Sequence, residues 1–148
     1  MPSLFDPADS TAILDRIKRL NPASQGKWGV MNVGQMLAHT QQPLRVATGD
    51  LKLKRTLLGK MLGGYFKKQI LAKGFRPNTT TDKAFVVADQ RQFEAERAKL
   101  TELIQNFSAK GPAGITKDPH PFFGPMTEEE WDKMQWMHLD HHLRQFGV

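Results

Sequence analysis

Three of the five histidines lie close together near the end of the chain, in the segment MHLDHHLRQF. His138 and His142 are four residues apart, and residues with this spacing lie one turn apart on the same face of an α-helix. Two imidazoles placed in this way can bind one metal ion, as they do in the helical H-E-x-x-H motif. An isolated H-x-x-x-H also arises by chance on solvated helices, so a third ligand is needed before the pair indicates a site.

His39 is the best candidate for that third ligand, although a lone helical histidine is more often a hydrogen-bonded core residue. Neutral imidazole is a common ligand of zinc, nickel and iron, and three such ligands leave the charge of the ion intact. Water bound to such an ion ionises with a pKa of roughly 7, and the ion can also bind a thiolate. One interpretation is therefore a divalent metal, zinc or nickel, bound by His39, His138 and His142, where it activates water or a small thiol. The other is that these histidines are solvated or hydrogen-bonded and bind no metal.

Two glutamines are candidates for the surroundings of this site. Gln35 lies one turn before His39, where it either orients a ligand or faces solvent near the start of a helix. Gln145 follows the histidine pair and can play a similar part, but exposure at the surface is the preferred interpretation. Neither residue type identifies a site without the geometry that surrounds it.

Three further side chains are weighed in the same way. His141 points roughly 100° away from its neighbour His142, so it either supports the ligands from behind or lies at the surface. Trp131 lies two turns before His138 and either packs in the core or forms a wall of a pocket. His120, in the segment HPFFG, is a candidate for the mouth of the site. The sequence contains no Ser/His/Asp arrangement, no phosphate-binding loop and no convincing pair of carboxylates, so any chemistry depends on the metal.

Composition indicates an ordinary globular protein. The 148 residues are 39% hydrophobic and 24% charged, which suits one domain over residues 1–148. There is no cysteine, which excludes disulfides and thiolate zinc sites and agrees with a cytoplasmic protein. No apolar run approaches the roughly 20 residues needed to span a bilayer, and the N-terminus does not resemble a secretory signal. We therefore expect no membrane partner.

Hydrophobic periodicity predicts an all-α fold. Capping residues and helix-ending signals divide the chain into five helical segments. The predicted segments are one that starts at Ser10 or Thr11, and others over about Asn32–Thr48, Thr56–Lys73, Asp89–Phe107 and Thr127–Phe146. In the third segment we expect the apolar residues to pack inward: Leu57, Leu58, Met61, Leu62, Tyr65, Ile70 and Leu71.

The basic excess of the chain, +6 overall, is concentrated in residues 51–81. This basic stretch contains no acidic residue, and a surface of one sign attracts anions. Its basic residues are Lys52, Lys54, Arg55, Lys60, Lys67, Lys68, Lys73 and Arg76. An alternative function is therefore a non-catalytic bundle that binds an anionic partner, such as nucleic acid, through this stretch. Few aromatic residues and no DNA-reading motif accompany it, so nucleic acid is the less favoured partner.

The histidine-bearing segments resemble those of the DinB-like (damage-inducible) metal-binding bundles. In that superfamily, a histidine near the middle of the second helix joins an H-x-x-x-H on the last helix. His39 in WGVMNVGQMLAH and the pair His138 and His142 match these positions. The segments HPFFG, TEEEW and HLDHHLRQFG resemble one branch of the superfamily, a bacterial domain of unknown function. The resemblance runs from about Trp28 to Gly147.

The resemblance implies a four-helix bundle with up-down-down-up topology, in which residues 51–81 form the crossover and an extra helix. It also implies a metal-dependent enzyme, either a transferase that uses a low-molecular-weight thiol or a hydrolase. Many members pair as homodimers. The branch itself has no agreed activity, so a bundle that retains the fold and the site without chemistry of its own is a third expectation.

Overall fold

Five α-helices make up most of the computed structural model, which describes residues 1–79 and 83–148. The described residues form no β-strand, and only an isolated bridge joins His120 to Gly124. None of the described helices is long and apolar enough to cross a membrane. The prediction of an all-α fold is confirmed. The helices are α1 (Pro7–Arg19), α2 (Val33–Ala47), α3 (Leu57–Lys73), α4 (Phe93–Lys110) and α5 (Glu128–Gln145), with short 3-10 turns at Lys83–Phe85 and Gly111–Gly114.

Four of these helices enclose one hydrophobic core. Helices α1 and α2 each pack against both α4 and α5, whereas α3 packs against α5. Each fully buried Leu, Ile or Met side chain contributes roughly 1.5–3 kcal/mol to folding, and the largest aromatic groups contribute further through their contact area. The innermost side chains are Leu4, Ile13, Ile17, Met36, Leu37, Leu44, Leu100, Ile104, Phe107, Trp131, Leu139 and Leu143.

The two helices that carry the candidate ligands begin where the sequence predicts. The Asn32 side chain accepts a hydrogen bond from the Gln35 amide at 2.8 Å, and the Gln35 side chain accepts one from the Asn32 amide at 3.0 Å. Thr127 and Glu130 form the same reciprocal pair at the start of α5. Such a capping box satisfies two amide groups that the first turn of a helix leaves unpaired. Both helix starts are thereby fixed, and the histidine positions with them.

Helix α1 begins earlier than the predicted start at Ser10 or Thr11, and that prediction is wrong. Its cap is Asp6, whose carboxylate accepts a hydrogen bond from the Ala8 amide at 2.7 Å. Pro7 occupies the first helical position, where its missing N–H costs nothing and its fixed φ angle suits the helix. An aspartate followed by a proline is therefore a stronger start signal than the hydroxyl residues further along.

Helix α3 has its predicted bounds, with Thr56 as its cap, but it does not pack as predicted. The residues that approach the rest of the protein most closely are Gly59 and Gly63, which lie against the backbone of Phe122. Five of the apolar residues expected to pack inward are exposed instead: Leu57, Leu58, Met61, Leu62 and Tyr65. Only Ile70 and Leu71 of the predicted set are half-buried. The basic stretch also extends to residues 80 and 81, which lie outside the described residues.

Candidate metal centre

Three histidines from two helices meet in the interior between α2 and α5. The Nε2 atom of His39 lies 3.1 Å from Nε2 of His138 and 3.1 Å from Nε2 of His142. All three side chains are buried, with exposed fractions between 5% and 9%. We refer to these three residues as the histidine triad. The sequence places two of them on one helix face, and the packing of α2 against α5 supplies the third.

The ring of His39 is held by a backbone carbonyl. Its Nδ1 lies 2.7 Å from the carbonyl oxygen of Phe85, in the 3-10 turn that precedes α4. A carbonyl oxygen can only accept, so Nδ1 carries the hydrogen and donates it. In the neutral ring, Nε2 then has a free lone pair, and that lone pair faces the other two histidines.

The ring of His142 is held in the same way by a glutamine side chain. Gln145 donates through Nε2 to the carbonyl oxygen of Trp28 at 2.7 Å, which turns its Oε1 towards His142. That Oε1 lies 2.7 Å from Nδ1 of His142, so Nδ1 is again the donor and Nε2 has the free lone pair. Gln145 is 2% exposed. The interpretation of Gln145 as a surface residue is therefore wrong.

His138 differs from the other two because its outer nitrogen is not held. Its Nδ1 is buried and has no hydrogen-bond partner among the described residues. The Phe75 ring packs against the imidazole in a T-shaped arrangement, with ring centroids 5.3 Å apart. Among the described residues, the polar atom within hydrogen-bond distance of its Nε2 is Nε2 of His39.

Burial disfavours the charged form of every ring in the triad. Loss of solvent lowers the pKa of His39 and of His138, and it lowers the pKa of His142 to about 3. The mutual repulsion of the three rings, were they charged, lowers the pKa values of His138 and His142 further. All three imidazoles are therefore neutral at physiological pH.

No arrangement of hydrogen atoms on neutral rings satisfies this cluster. A hydrogen on Nε2 of His138 can be donated to His39, but the lone pairs of His39 and His142 still face each other at 3.1 Å. The same choice leaves Nδ1 of His138 as a buried acceptor without a donor. Two opposed lone pairs in a buried cluster are unfavourable. A cation between the three Nε2 atoms would remove the conflict.

The spacing of the triad fits a transition-metal ion. Ligand nitrogens about 2.0–2.1 Å from a tetrahedral zinc ion lie roughly 3.3 Å from each other. The two observed separations of 3.1 Å are close to that value. Three neutral nitrogens suit zinc or nickel better than the hard cations that prefer oxygen. Among the described residues, the triad is the group of ligand-type side chains that converges in this way.

A cleft of about 400 Å³ opens beside the triad, and aromatic rings line it. The His141 ring lies 5.0 Å from that of His142, 5.4 Å from that of Trp28 and 6.0 Å from that of Phe75, measured between centroids. Burial lowers the pKa of His141, which is only half-buried. Its position agrees with a residue beside the ligands rather than a ligand. Phe75 lies between the cleft and His138, and no sequence pattern indicates that contact.

Gln35 caps helix α2 and is not hydrogen-bonded to the histidine triad. Besides its place in the capping box, it donates through Nε2 to the carbonyl oxygen of Asp89 at 3.1 Å. Both of its hydrogen-bonding groups are therefore used to hold the start of α2 and the segment before α4. These bonds assign Gln35 to helix capping, and among the described residues it forms no hydrogen bond with a histidine of the triad.

His120 and Trp131 contact each other rather than the triad. Their ring centroids are 5.3 Å apart, and Trp131 precedes His138 by two helical turns, which is about 10 Å along the axis. His120 is 5% exposed, and its Nδ1 accepts hydrogen bonds from the amides of Phe122 and Phe123 at 3.0 Å each. The expectation that His120 lies at the mouth of the site disagrees with this burial.

One comparison with known proteins finds a match. A family model with the description "Protein of unknown function (DUF1569)" matches residues 5–147. The match covers all five helices, the three residues of the triad and Gln145. No curated protein and no solved structure matches the chain.

Proposed function

We propose that this chain, which belongs to the DUF1569 family, binds one divalent metal ion through His39, His138 and His142. The family carries no assigned activity, so the proposal depends on the site. The observation that carries it is the convergence of three neutral imidazoles with opposed lone pairs 3.1 Å apart. An ion in that position removes the conflict, and the hydrogen bonds of two rings already select the tautomer that binds it.

We also propose that the chain is a DinB-like bundle. The order of the ligands along the chain, one on the second helix and two on the last, supports this assignment. The packing of α1, α2, α4 and α5 around one core also supports it, with α3, which follows α2 in the chain, packed outside against α5. In this interpretation α3 is the extra helix of the crossover, and the bundle has up-down-down-up topology.

The bound ion would act as a Lewis acid that makes a water molecule or a small thiol nucleophilic near neutral pH. The residues of the chain supply binding and orientation. Phe85 and Gln145 keep the rings of His39 and His142 in one tautomer. Burial keeps the rings unprotonated, so protons compete little with the metal for the ligand nitrogens. Trp28 and Phe75 form apolar walls of the adjacent cleft, and they can position a substrate and limit the access of water.

A metal-dependent thiol transferase or hydrolase is the reaction class that these features support best. The cleft of about 400 Å³ is large enough for a small organic substrate such as a low-molecular-weight thiol. Zinc and nickel are the preferred ions, because the donor set consists of three imidazole nitrogens. A homodimer is proposed from the resemblance alone.

The test is the metal content of the protein purified without a histidine tag. We expect about one equivalent of zinc or nickel per chain in the parent, measured by plasma mass spectrometry. The variants His39→Ala and His138→Ala should each lose the metal, because two remaining ligands hold the ion far less tightly. Circular dichroism of every variant checks that the helices are retained.

His141→Ala is the matched control, because His141 is adjacent to a ligand but points its ring into the cleft. This variant should keep the metal while the ligand variants lose it. A parent protein that takes up no metal after incubation with zinc and with nickel would overturn the proposal. So would equal loss of metal from the control and the ligand variants. Thiol-transfer and hydrolase assays on the loaded protein then separate the two reaction types.

A further inference from the structure

Helix α3 presents a row of large apolar side chains to solvent. Leu57 is 75% exposed, Met61 73% and Tyr65 61%, and these residues recur every four positions along one face. Leu58, at 56%, lies beside them. A contiguous apolar surface of this kind on a folded protein indicates an interaction site rather than random exposure. We call these four residues the apolar stripe.

The packing of α3 fixes the stripe in its outward position. A Cβ atom at Gly59 would lie 2.7 Å from the Phe122 carbonyl oxygen, and one at Gly63 would overlap the same oxygen. Only a glycine face can therefore rest against this backbone. Lys67, on the packed side of the helix, pairs with Glu130 at 2.9 Å. The helix cannot rotate to bury the stripe without losing both contacts.

The charged residues in the chain segment that carries the stripe are all basic. Every charged residue from 51 to 79 is a lysine or arginine. Lys60 lies at one edge of the stripe and Lys68 continues its line towards the end of the helix. Both are exposed, and neither forms an ion pair with an acidic residue among the described residues. Basic side chains around an apolar face are typical of helices that lie in the interface of an anionic bilayer.

We propose that α3 docks this chain onto the surface of an anionic phospholipid bilayer. The apolar stripe would enter the boundary between headgroups and acyl chains, while Lys60 and Lys68 contact the lipid phosphates. A nucleic acid would use the charge but leave the apolar side chains in water. A second copy of the chain, paired through the same face, would place two surfaces of equal sign against each other. An anionic bilayer uses both features at once.

A helix that lies on a bilayer does not need the length of a spanning segment. The sequence-based expectation of no membrane partner depends on the lack of a spanning segment and of a secretory signal, neither of which bears on attachment at the surface. The exposure of the stripe argues for such attachment. The stripe lies on the side of α3 that faces away from the bundle, so docking does not require any change in the histidine triad.

The first test measures the partition of the protein onto vesicles of phosphatidylserine mixed with phosphatidylcholine, by co-sedimentation. We expect binding that weakens as salt rises and that is absent with pure phosphatidylcholine, because lysine–lipid attraction is screened by salt. The double variant Leu57→Ser with Met61→Ser should reduce the partition coefficient by about tenfold or more. Val30 and Val86, which are exposed outside α3, provide the matched control pair as serine variants.

The second test changes charge at constant apolar surface. Lys60→Glu with Lys68→Glu should reduce the partition coefficient by more than about tenfold, since each lysine near the surface contributes about fivefold. Arg19→Glu with Lys110→Glu makes the same change in net charge on α1 and α4, and it should have a much smaller effect. Both pairs consist of exposed residues, so the fold is expected to be kept.

Several results would overturn the proposal. One is the absence of binding to anionic vesicles at low salt, and another is an equal loss in the α3 variants and their controls. A concentration-dependent dimer in light scattering that Leu57→Ser with Met61→Ser disrupts, without vesicle binding, would assign the stripe to a second copy. Binding to polyglutamate as strong as binding to vesicles, and lost in the stripe variant, would assign it to an acidic protein surface.

Discussion

Two buried histidines, His120 and His142, have similar pKa values but opposite hydrogen-bonding roles at Nδ1. Burial lowers the pKa of His120 and of His142 to about 3, so both rings are neutral. At His120, Nδ1 accepts two backbone N–H groups, and the hydrogen therefore resides on Nε2. At His142, Nδ1 donates to Gln145, and Nε2 keeps its lone pair. One ring is fixed as an acceptor of backbone hydrogen bonds, and the other presents a free lone pair to the triad.

Burial and a shifted pKa therefore do not identify a site by themselves. The region of His120 and the region of His142 differ in the charged or polar group that lies near each ring. The Arg55 guanidinium lies close enough to His120 to lower its pKa further, and a fixed cation there opposes the binding of another. The free lone pair of His142 instead faces a second lone pair, on His39. A cation is repelled from the first region and attracted to the second.

The largest expected effect is a loss of stability from a change beside His120 that leaves the metal content unchanged. Gly63→Ala places a Cβ atom against the Phe122 carbonyl oxygen, and the Phe122 amide is one of the two donors to His120. Because backbone rather than a flexible side chain must move, we expect a loss of about 3 kcal/mol in the free energy of unfolding. Urea denaturation measures it. The metal content should not change, since the triad does not contact this loop.

Gly64→Ala is the matched control for that change. A Cβ atom at Gly64 meets nothing within 4 Å, and the residue lies inside the same helix. Alanine there should stabilise the protein by roughly 0.5–1 kcal/mol, because glycine is the weaker helix former. If Gly63→Ala released the metal at unchanged stability, the separation between a structural region and a metal-binding region would be wrong.

The next effect concerns the group that sets the tautomer of His142. Gln145→Leu removes the acceptor from Nδ1 and the donor to the Trp28 carbonyl, so the ring is no longer held in its binding form. We expect zinc affinity to fall by about 10–100-fold, as is typical for loss of a partner behind a metal ligand. Competition with a chelating dye gives the dissociation constant.

Gln145→Glu should recover much of that affinity, because a carboxylate oxygen still accepts from Nδ1 of His142. Gln35→Ala is the control on the other ligand helix. It removes half of a capping box, and it should reduce the stability of α2 without a comparable change in zinc affinity. If both glutamine variants weakened zinc binding equally, a general loosening of the bundle would explain the result better than tautomer control.

Local signals in the sequence predict much of this structure. The caps at Asn32, Thr56 and Thr127 are satisfied within a few residues of the chain, and each correctly marks the start of a helix. The spacing of His138 and His142 likewise follows from helix geometry alone. Their association with His39 is proposed from a resemblance, and the packing of the two helices brings the three nitrogens together.

The remaining features depend on contacts between distant segments. Gln145 lies three residues after His142, on the same helix face, and that spacing was the one available signal for its role. The Phe85 carbonyl has no side-chain signature at all, because any residue could supply it. The wrong prediction for α3 has a similar cause. Hydrophobicity favours burial of its leucines, but the close approach of the Phe122 backbone selects the glycine face.

The smallest expected effect is a change in how the free energy of unfolding depends on pH. In the unfolded chain His120 has a pKa near 6.5, whereas in the folded protein its pKa is about 3. Between these values the unfolded state binds more protons, so stability is fully present above pH 6.5 and is lost as pH falls towards 3. Well below pH 6.5 such a histidine contributes a slope of about 1.4 kcal/mol per pH unit, and at pH 6.5 it contributes about half of that. His120→Asn should remove one slope of this size, because an amide oxygen can accept from the same two N–H groups without titrating.

The zinc dependence of that slope is the decisive measurement. Burial already favours the unprotonated form of His39, His138 and His142 in the metal-free folded protein, so zinc should raise stability by a nearly constant amount and leave the slope almost unchanged. His120 binds no metal in our interpretation, and the difference between the parent and His120→Asn should therefore be the same with and without zinc. Urea denaturation at pH 6.5, 6.0 and 5.5, values chosen within roughly one unit of the unfolded pKa, gives both slopes. A difference that vanished on adding zinc would place His120 among the groups that respond to the metal, and the two regions would then act as one site.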